Sequence, residues 1–301
     1  MSLLVTGSIG IDTVTSPYGS RKDCLGGSSV YFSMAASFFG PVRFVGVVGD
    51  DCPFDLPEVF KGRGVDLAGL EVRQGSKTFR WAGTYQANMD DRTTDAVELN
   101  VLAEVPPQVP AAFKDSQMVF LANTAPALQI ELLSQVTQPS FVAADTMDLW
   151  INNNLDDLKA LLKQIDCLII NEDEVKDLAG ESNLIKAADI IIGMGVKVAL
   201  IKKGASGSLL RDAQGQTFQL PAFPAADVID PTGAGDSFAG GFMGTLAAAE
   251  NTDFATLKKA VAYGTVTASF TIAGFSLDGL QETNKAQIDQ RLEQLRDVTQ
   301  F

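Results

Sequence analysis

The sequence predicts an α/β fold: a mainly parallel central sheet with helices on both faces and a small β lid. Three observations lead there. Short apolar runs such as FVAA (141–144) and CLII (167–170) have the length and texture of buried strands. Helix-patterned stretches separate them, one of which carries Leu155, Leu158, Leu161 and Leu162 on one face. Such βαβα order builds a parallel sheet covered on both sides. Residues 70–103 differ, with β-prone Thr78, Phe79, Trp81, Thr84 and Tyr85 in a polar background.

Taken in order, residues 2–9 (SLLVTGSI) read as the first strand, with Asp12 just past its end. Residues 13–25 are polar and mixed, a small β excursion. Gly26 and Gly27 let the backbone bend and approach a ligand. Ser28 or Ser29 can cap a helix over Val30–Phe39, which is apolar nearly all round and stops at Gly40 and Pro41. Val42–Val48 is a strand. Residues 70–103, broken at Met89–Asp91, join the excursion at 10–25 as a lid, with a β-sheet at a dimer interface as the equal alternative.

Met118–Ala122, Phe141–Ala144, Cys167–Ile170 and Val198–Lys203 read as strands, and Pro126–Gln135 and Asn153–Lys163 as helices. Asn171 followed by Glu174 fits a capping box at a helix start. Gly204–Gly207 is a turn into Ser208–Arg211. Helices follow from near Gly235 to about Glu250, over Thr256–Ile272 and over 284–297. The whole of 1–301 forms one domain, with its lid at about 10–25 and 70–103.

The most informative stretch is DPTGAGDSFAGGF, Asp230 to Phe242. An apolar strand end (Val228, Ile229) runs into a stiffening Pro231, a glycine turn and a helix start. The first N–H groups of a helix lack partners and carry partial positive charge, which makes an anion seat. Asp236 sits beside that seat, placed to take a proton from a hydroxyl attacking a phosphate.

These thirteen residues resemble the C-terminal signature of the ribokinase-like, or PfkB, carbohydrate kinases. The resemblance implies a ribokinase-like fold and ATP-dependent phosphorylation of an alcohol on a sugar-like molecule. It implies Asp236 as catalytic base and the amides of Gly233, Ala234 and Gly235 as the anion hole for the γ-phosphate. Asp12, Gly26 and Gly27 match positions that contact substrate. Asn171 and Glu174 match an N-x-x-E motif that organises Mg²⁺ and phosphate, with Glu174 acting through water. Lys203 and Gly204, rather than Lys202, match a segment lining the nucleotide. Asp230, Thr232 and residues 273–276 match a region that closes over adenine and in many members binds a monovalent cation such as K⁺. Many members carry an Asn where this chain has Val30 and Tyr31, a departure that argues against ribose as the acceptor.

Composition narrows the chemistry. The chain has 301 residues and a net charge of −14, a poor match for nucleic acid or an anionic membrane. It has no histidine, which rules out Ser-His-Asp triads and His-ligated metals. Cys24, Cys52 and Cys167 are odd in number and far apart, so neither a disulfide framework nor a zinc site is expected. No apolar run reaches ~18 residues, the length needed to cross a bilayer as a helix. The opening MSLLVTGSIGIDTV lacks the basic lead of a signal peptide, and the expectation is a cytoplasmic protein.

Three functions stay open at this level. One is a sugar kinase. Another is a nucleoside kinase of the same fold, with Tyr31, Phe79 and Trp81 available to stack on a base. The third is a non-catalytic binding protein on a kinase fold, against which the intact Asp236 argues. A homodimer joined through the lid is compatible with all three.

Overall fold

A computed structural model describes residues 1–300. Its body is a nine-stranded sheet. The strands are β1 (Leu3–Thr6), β4 (Val42–Gly49), β5 (Val65–Arg73), β8 (Met118–Leu121), β9 (Phe141–Asp145), β10 (Cys167–Asn171), β11 (Val198–Lys202), β12 (Ser208–Asp212) and β13 (Thr217–Leu220). They are ordered β13-β12-β11-β10-β9-β8-β1-β4-β5. All pairings are parallel except β11 with β12 and β12 with β13. A second sheet, the lid, is ordered β3-β2-β6-β7 and consists of β2 (Gly10–Ser16), β3 (Gly19–Gly26), β6 (Phe79–Tyr85) and β7 (Arg92–Glu98).

Strand alternation divides the core in two. Leu3, Val5, Val198 and Leu200 point to one face, under helices Ser28–Ala36, Ala234–Ala249, Phe254–Thr271 and Lys285–Thr299. Leu4, Ala199 and Ile201 point to the other, under helices Pro126–Ser134, Leu155–Leu162, Glu172–Ala179 and Leu184–Gly193. Burial on both faces explains why these strands read as unbroken apolar runs. The chain reverses its direction across the sheet beside β1, flanked by β8 and β4. Ligands of open α/β sheets bind at the carboxyl ends of strands near such a switch point.

Some expectations needed correction. Residues 70–73 complete β5 at the edge of the main sheet, so the second lid segment begins at β6 rather than at 70. Asp12 stands within lid strand β2, six residues beyond the end of β1. The helix expected over Asn153–Lys163 runs over Leu155–Leu162, and an unread helix, Asp148–Asn153, precedes it, the two parted where Asn154 leaves helical geometry (φ −134, ψ 38). Helix Leu184–Gly193 and the short edge strand β13 went unread. The β-branched run Ile190–Ile192 of the first is as ready to form a strand as a helix, and four residues are too few to show a period. Among the described residues no helix is long and apolar enough to cross a membrane.

Candidate active site

Helix Ala234–Ala249 starts one residue earlier than expected, with Gly233 as its left-handed N-cap (φ 76). Side chains rarely adopt that conformation, and space excludes them too. A Cβ on Gly233 would lie 2.3 Å from Cγ of Tyr31, whose ring fills the floor beneath the turn. The helix itself packs closely against its neighbours: a Cβ on Gly240 would fall 2.4 Å from the Phe32 carbonyl oxygen. Of the three amides expected in the anion hole, that of Ala234 donates to the Pro231 carbonyl at 3.1 Å. Those of Gly233 and Gly235 have no such partner among the described residues.

Asp236 follows in the first helical turn, with part of its surface open to the cleft. Burial by the surrounding protein, then the negative charge of Asp145, pushes its carboxyl up to about 7, against the pull of Lys202 and Arg92. A carboxylate poised near neutrality suits a general base. Lys202, at the end of β11, lies close by, with its amine 2.9 Å from where a Cβ on Gly235 would stand. It pairs with Asp145 at the end of β9, Nζ to Oδ2 3.4 Å. Burial alone would lower the Lys202 pKa; Asp145, Glu174 and Asp236 together outweigh it and raise it.

Asn171 ends β10 and caps helix Glu172–Ala179. Its side chain accepts from the Glu174 N–H at 2.8 Å, and Glu174 Oε2 accepts from the Asn171 N–H at 3.0 Å. The capping box is therefore real, and it holds Glu174 buried against the cluster. Burial, then Asp145, pushes Glu174 up to about 7, against Lys202, the Asn171 amide and Arg92. Strand ends thus bring Asp145, Glu174 and Lys202 to the N-terminus of the Asp236 helix. No three His, Cys, Asp or Glu side chains among the described residues form a closed metal cage.

Lys203 and Gly204 occupy the hairpin beyond β11. The Lys203 N–H donates to the Gly207 carbonyl at 2.7 Å, and it is Lys202, not Lys203, whose amine reaches the cluster. Gly204 (φ 52) meets the lid: a Cβ there would lie 2.9 Å from Asp90 Oδ1. The Thr232 N–H donates to Asp230 Oδ1 at 2.9 Å, and its hydroxyl donates to the Tyr85 hydroxyl at 3.2 Å, tying the turn to the lid. Buried Asp230 also accepts from the Ser276 N–H at 3.3 Å, which anchors the turn to the 273–276 segment.

The other side of the cleft is built on the lid. Asp12 is 4 % exposed, and its Oδ1 has no hydrogen-bond partner. Its carboxylate lies against Gly26 and Gly10, where Cβ atoms would stand 1.8 Å from Oδ2 and 2.8 Å from Oδ1. Gly27 supplies a close approach of its own, its absent Cβ 2.5 Å from the Ser8 carbonyl oxygen. Burial, then Asp230 and Asp236, pushes Asp12 up to about 8. An unpartnered buried carboxyl is costly, and this one lies near enough to Asp236 to feel its charge. The Phe79 ring stands over Gly10, and the Trp81 ring lies over Gly83, 2.3 Å from where a Cβ would be.

Sequence reasoning, which set Lys203 and Gly204 against the nucleotide, missed the pairing of Lys202 with Asp145 and gave Arg92 no role. Position at a strand end was the only signal for Asp145. For Arg92 there was none.

Comparison with known proteins identifies the family. Residues 29–283 match the family model described as pfkB family carbohydrate kinase. The chain is 28% identical over 251 residues to a cytidine kinase of Thermococcus kodakarensis, covering 81% of this chain and 87% of that one. It is 28% identical over 273 residues to an aminoimidazole riboside kinase of Salmonella typhimurium, covering 85% and 84%. Among solved structures, a ribokinase from Cryptococcus neoformans in complex with ADP superposes with a TM-score of 0.79 at 21% identity, covering 96% of this chain and 99% of that one. That last likeness establishes the fold. With a family match spanning most of the sequence and an acid beside an anion turn at its centre, the chain belongs to the pfkB family of carbohydrate kinases, ATP-dependent phosphotransferases with an alcohol as acceptor.

Proposed function

We propose that the protein transfers the γ-phosphoryl group of ATP to a hydroxyl of a sugar or nucleoside held between the body and the lid. The observation that carries this reading is the placement of Asp236, partly open to the cleft and pushed up to about 7, beside the free amides of Gly233 and Gly235. Asp236 accepts the proton of the attacking hydroxyl. The two amides and the Lys202 amine face the charge on the transferring group, and Ala234 shapes the turn between them. Asn171, Lys203, Gly204 and Thr232 border the nucleotide side. Asp12 accepts hydrogen bonds from acceptor hydroxyls, which would satisfy its orphaned Oδ1.

Among the described residues no three carboxylates form a direct metal site, so Mg²⁺ would keep most of its water beside Asp145, Glu174 and Asp236. Glu174 would hold such an ion through water, and Mg²⁺ when bound neutralises phosphate charge. A monovalent cation between Asp230 and the 273–276 segment belongs to the same reading. So does a homodimer through the lid, where Val97 is 48 % exposed on edge strand β7. The acidic chain is read as a cytoplasmic enzyme without nucleic-acid or membrane partners.

A nucleoside acceptor has a specific observation in its favour: Phe79 and Trp81 line the lid face that carries Asp12, and the matched cytidine kinase covers most of this chain. Release of ADP measured over sugars and nucleosides separates the two acceptor classes. Asp236→Asn is expected to cut kcat by roughly 10²–10⁴ with ATP binding retained. Wild-type kcat in that variant overturns the role of Asp236. ATP binding without turnover on any acceptor favours a non-catalytic binding protein.

A further inference from the structure

The cleft is crowded with carboxylates. Asp12, Asp145, Glu174, Asp230 and Asp236 come from different elements; the charge of Asp145 raises the pKa of Glu174 and of Asp236, and Asp230 and Asp236 raise that of Asp12. A nucleotide triphosphate adds more negative charge. Something must offset it, and most cations near the cleft are already engaged. Lys202 pairs with Asp145, Arg21 with Asp278 at 2.7 Å, and Arg80 with Asp23 and Asp51.

Arg92 is different. It is exposed at the start of β7, and among the described residues it makes no ion pair. It stands directly opposite Tyr85 in the antiparallel β6–β7 register, and cross-strand partners share a face of a sheet. The Tyr85 hydroxyl accepts from the Thr232 hydroxyl at 3.2 Å, so that face looks onto the anion turn. The positive charge of Arg92 is felt at Tyr85, Glu174 and Asp236 alike, three groups on three elements.

We propose that Arg92 is a catalytic residue carried by the lid, whose guanidinium contacts the transferring phosphoryl group opposite the Gly233–Gly235 amides. This rests on the phosphoryl-transfer reading above. An arginine free of carboxylate partners on a closing lid brings charge to the transferring group only when the cleft is shut, which couples acceptor capture to reaction. The guanidinium offers paired donors that fit phosphate oxygens, whereas lysine offers a point charge.

The test uses the full chain as wild type, Arg92→Ala and Arg92→Lys, all with Mg²⁺. Calorimetry gives Kd for ATP and for ADP. Steady-state kinetics use whichever sugar or nucleoside the wild type phosphorylates fastest. In Arg92→Ala the expectation is kcat down about 10²-fold, the acceptor KM within about threefold, and the preference for ATP over ADP reduced about tenfold. Arg92→Lys is expected to regain part of kcat. A kcat within about threefold of wild type together with an unchanged ATP-to-ADP preference overturns the proposal. Should the wild type turn over no acceptor, the transfer reading fails separately. The nucleotide preference then decides Arg92 alone: its loss in Arg92→Ala supports the contact, and its persistence removes it.

Discussion

Asp12 illustrates how a single residue is held at odds with the fold's own stability. In the unfolded chain its carboxyl ionises near 3.8, and in the fold it is pushed up to about 8, first by burial and then by Asp230 and Asp236. Between those values the folded protein binds the extra proton, so the contribution of Asp12 is present in full below about pH 4 and is lost as pH rises through about 8. Asp236 and Glu174, each raised to about 7, act with the same sign. Thermal stability of the ligand-free protein should therefore fall from pH 5 to pH 8.5, over and above what the remaining groups do. Asp12→Asn cannot ionise and keeps the shape. At pH 8.5 it is expected to raise Tm by about 4 °C, or about 2 kcal/mol, with little change at pH 5 and with turnover lost. Differential scanning calorimetry at the two pH values checks this, and parallel Tm curves for wild type and variant would refute it.

At the scale of elements, the anion turn and the helix beneath it act as one piece. Gly233 must be left-handed and must also clear the Tyr31 ring of helix Ser28–Ala36. Gly233→Ala meets both obstacles, and the steric one should dominate, because the left-handed backbone costs only about 1 kcal/mol. A double-mutant cycle on unfolding free energy separates them: the penalty of Gly233→Ala is expected to fall by at least about half in a Tyr31→Ala background. An equal penalty in both backgrounds would mean that the ring is not what excludes a side chain. This turn was legible in the sequence because its chemistry lies in thirteen contiguous residues. Most strands of the sheet were legible too, because burial on both faces leaves unbroken apolar runs. The rest of the site was not, and the reason is topological. Asp145, Glu174 and Lys202 meet only because the sheet places β9, β10 and β11 side by side. Arg92 reaches the cleft through its pairing with Tyr85. Choosing Lys202 over Lys203 needs the strand register, and assigning residues 70–73 to the main sheet needs the pairing of β4 with β5. No spacing within the chain encodes those neighbours.

For the molecule as a whole, body and lid differ sharply in how much holds them together. The body has a buried core on each face of its sheet. The lid's own buried cluster is Val14, Cys24 and Tyr85, with Trp81, Met89 and Phe275 packed on it. Its β2–β3 half is fastened by three links: the Ser16 hydroxyl donating to the Ile229 carbonyl at 2.8 Å, the Ser276 hydroxyl donating to the Leu25 carbonyl at 2.5 Å, and the Arg21–Asp278 pair. The β6–β7 half has Arg80 on Asp51 near its start and the Thr232–Tyr85 bond at its tip, while β7 is exposed at every position. Segments with so little buried surface open with far less free energy than the core. Amides of 79–98 are therefore expected to exchange with deuterium at least about 10²-fold faster than those of β8 and β9 in the ligand-free protein. ATP with Mg²⁺ and the best acceptor together should slow that exchange about tenfold or more, and ATP alone by less, because a complete cleft is needed before Tyr85 and the strand beside it are pinned from both sides. Hydrogen exchange followed by mass spectrometry measures this directly. Equal exchange in lid and body, or a lid indifferent to both ligands, would mean that the small sheet is a fixed wall and that the charge it carries toward the anion turn is there before any substrate arrives.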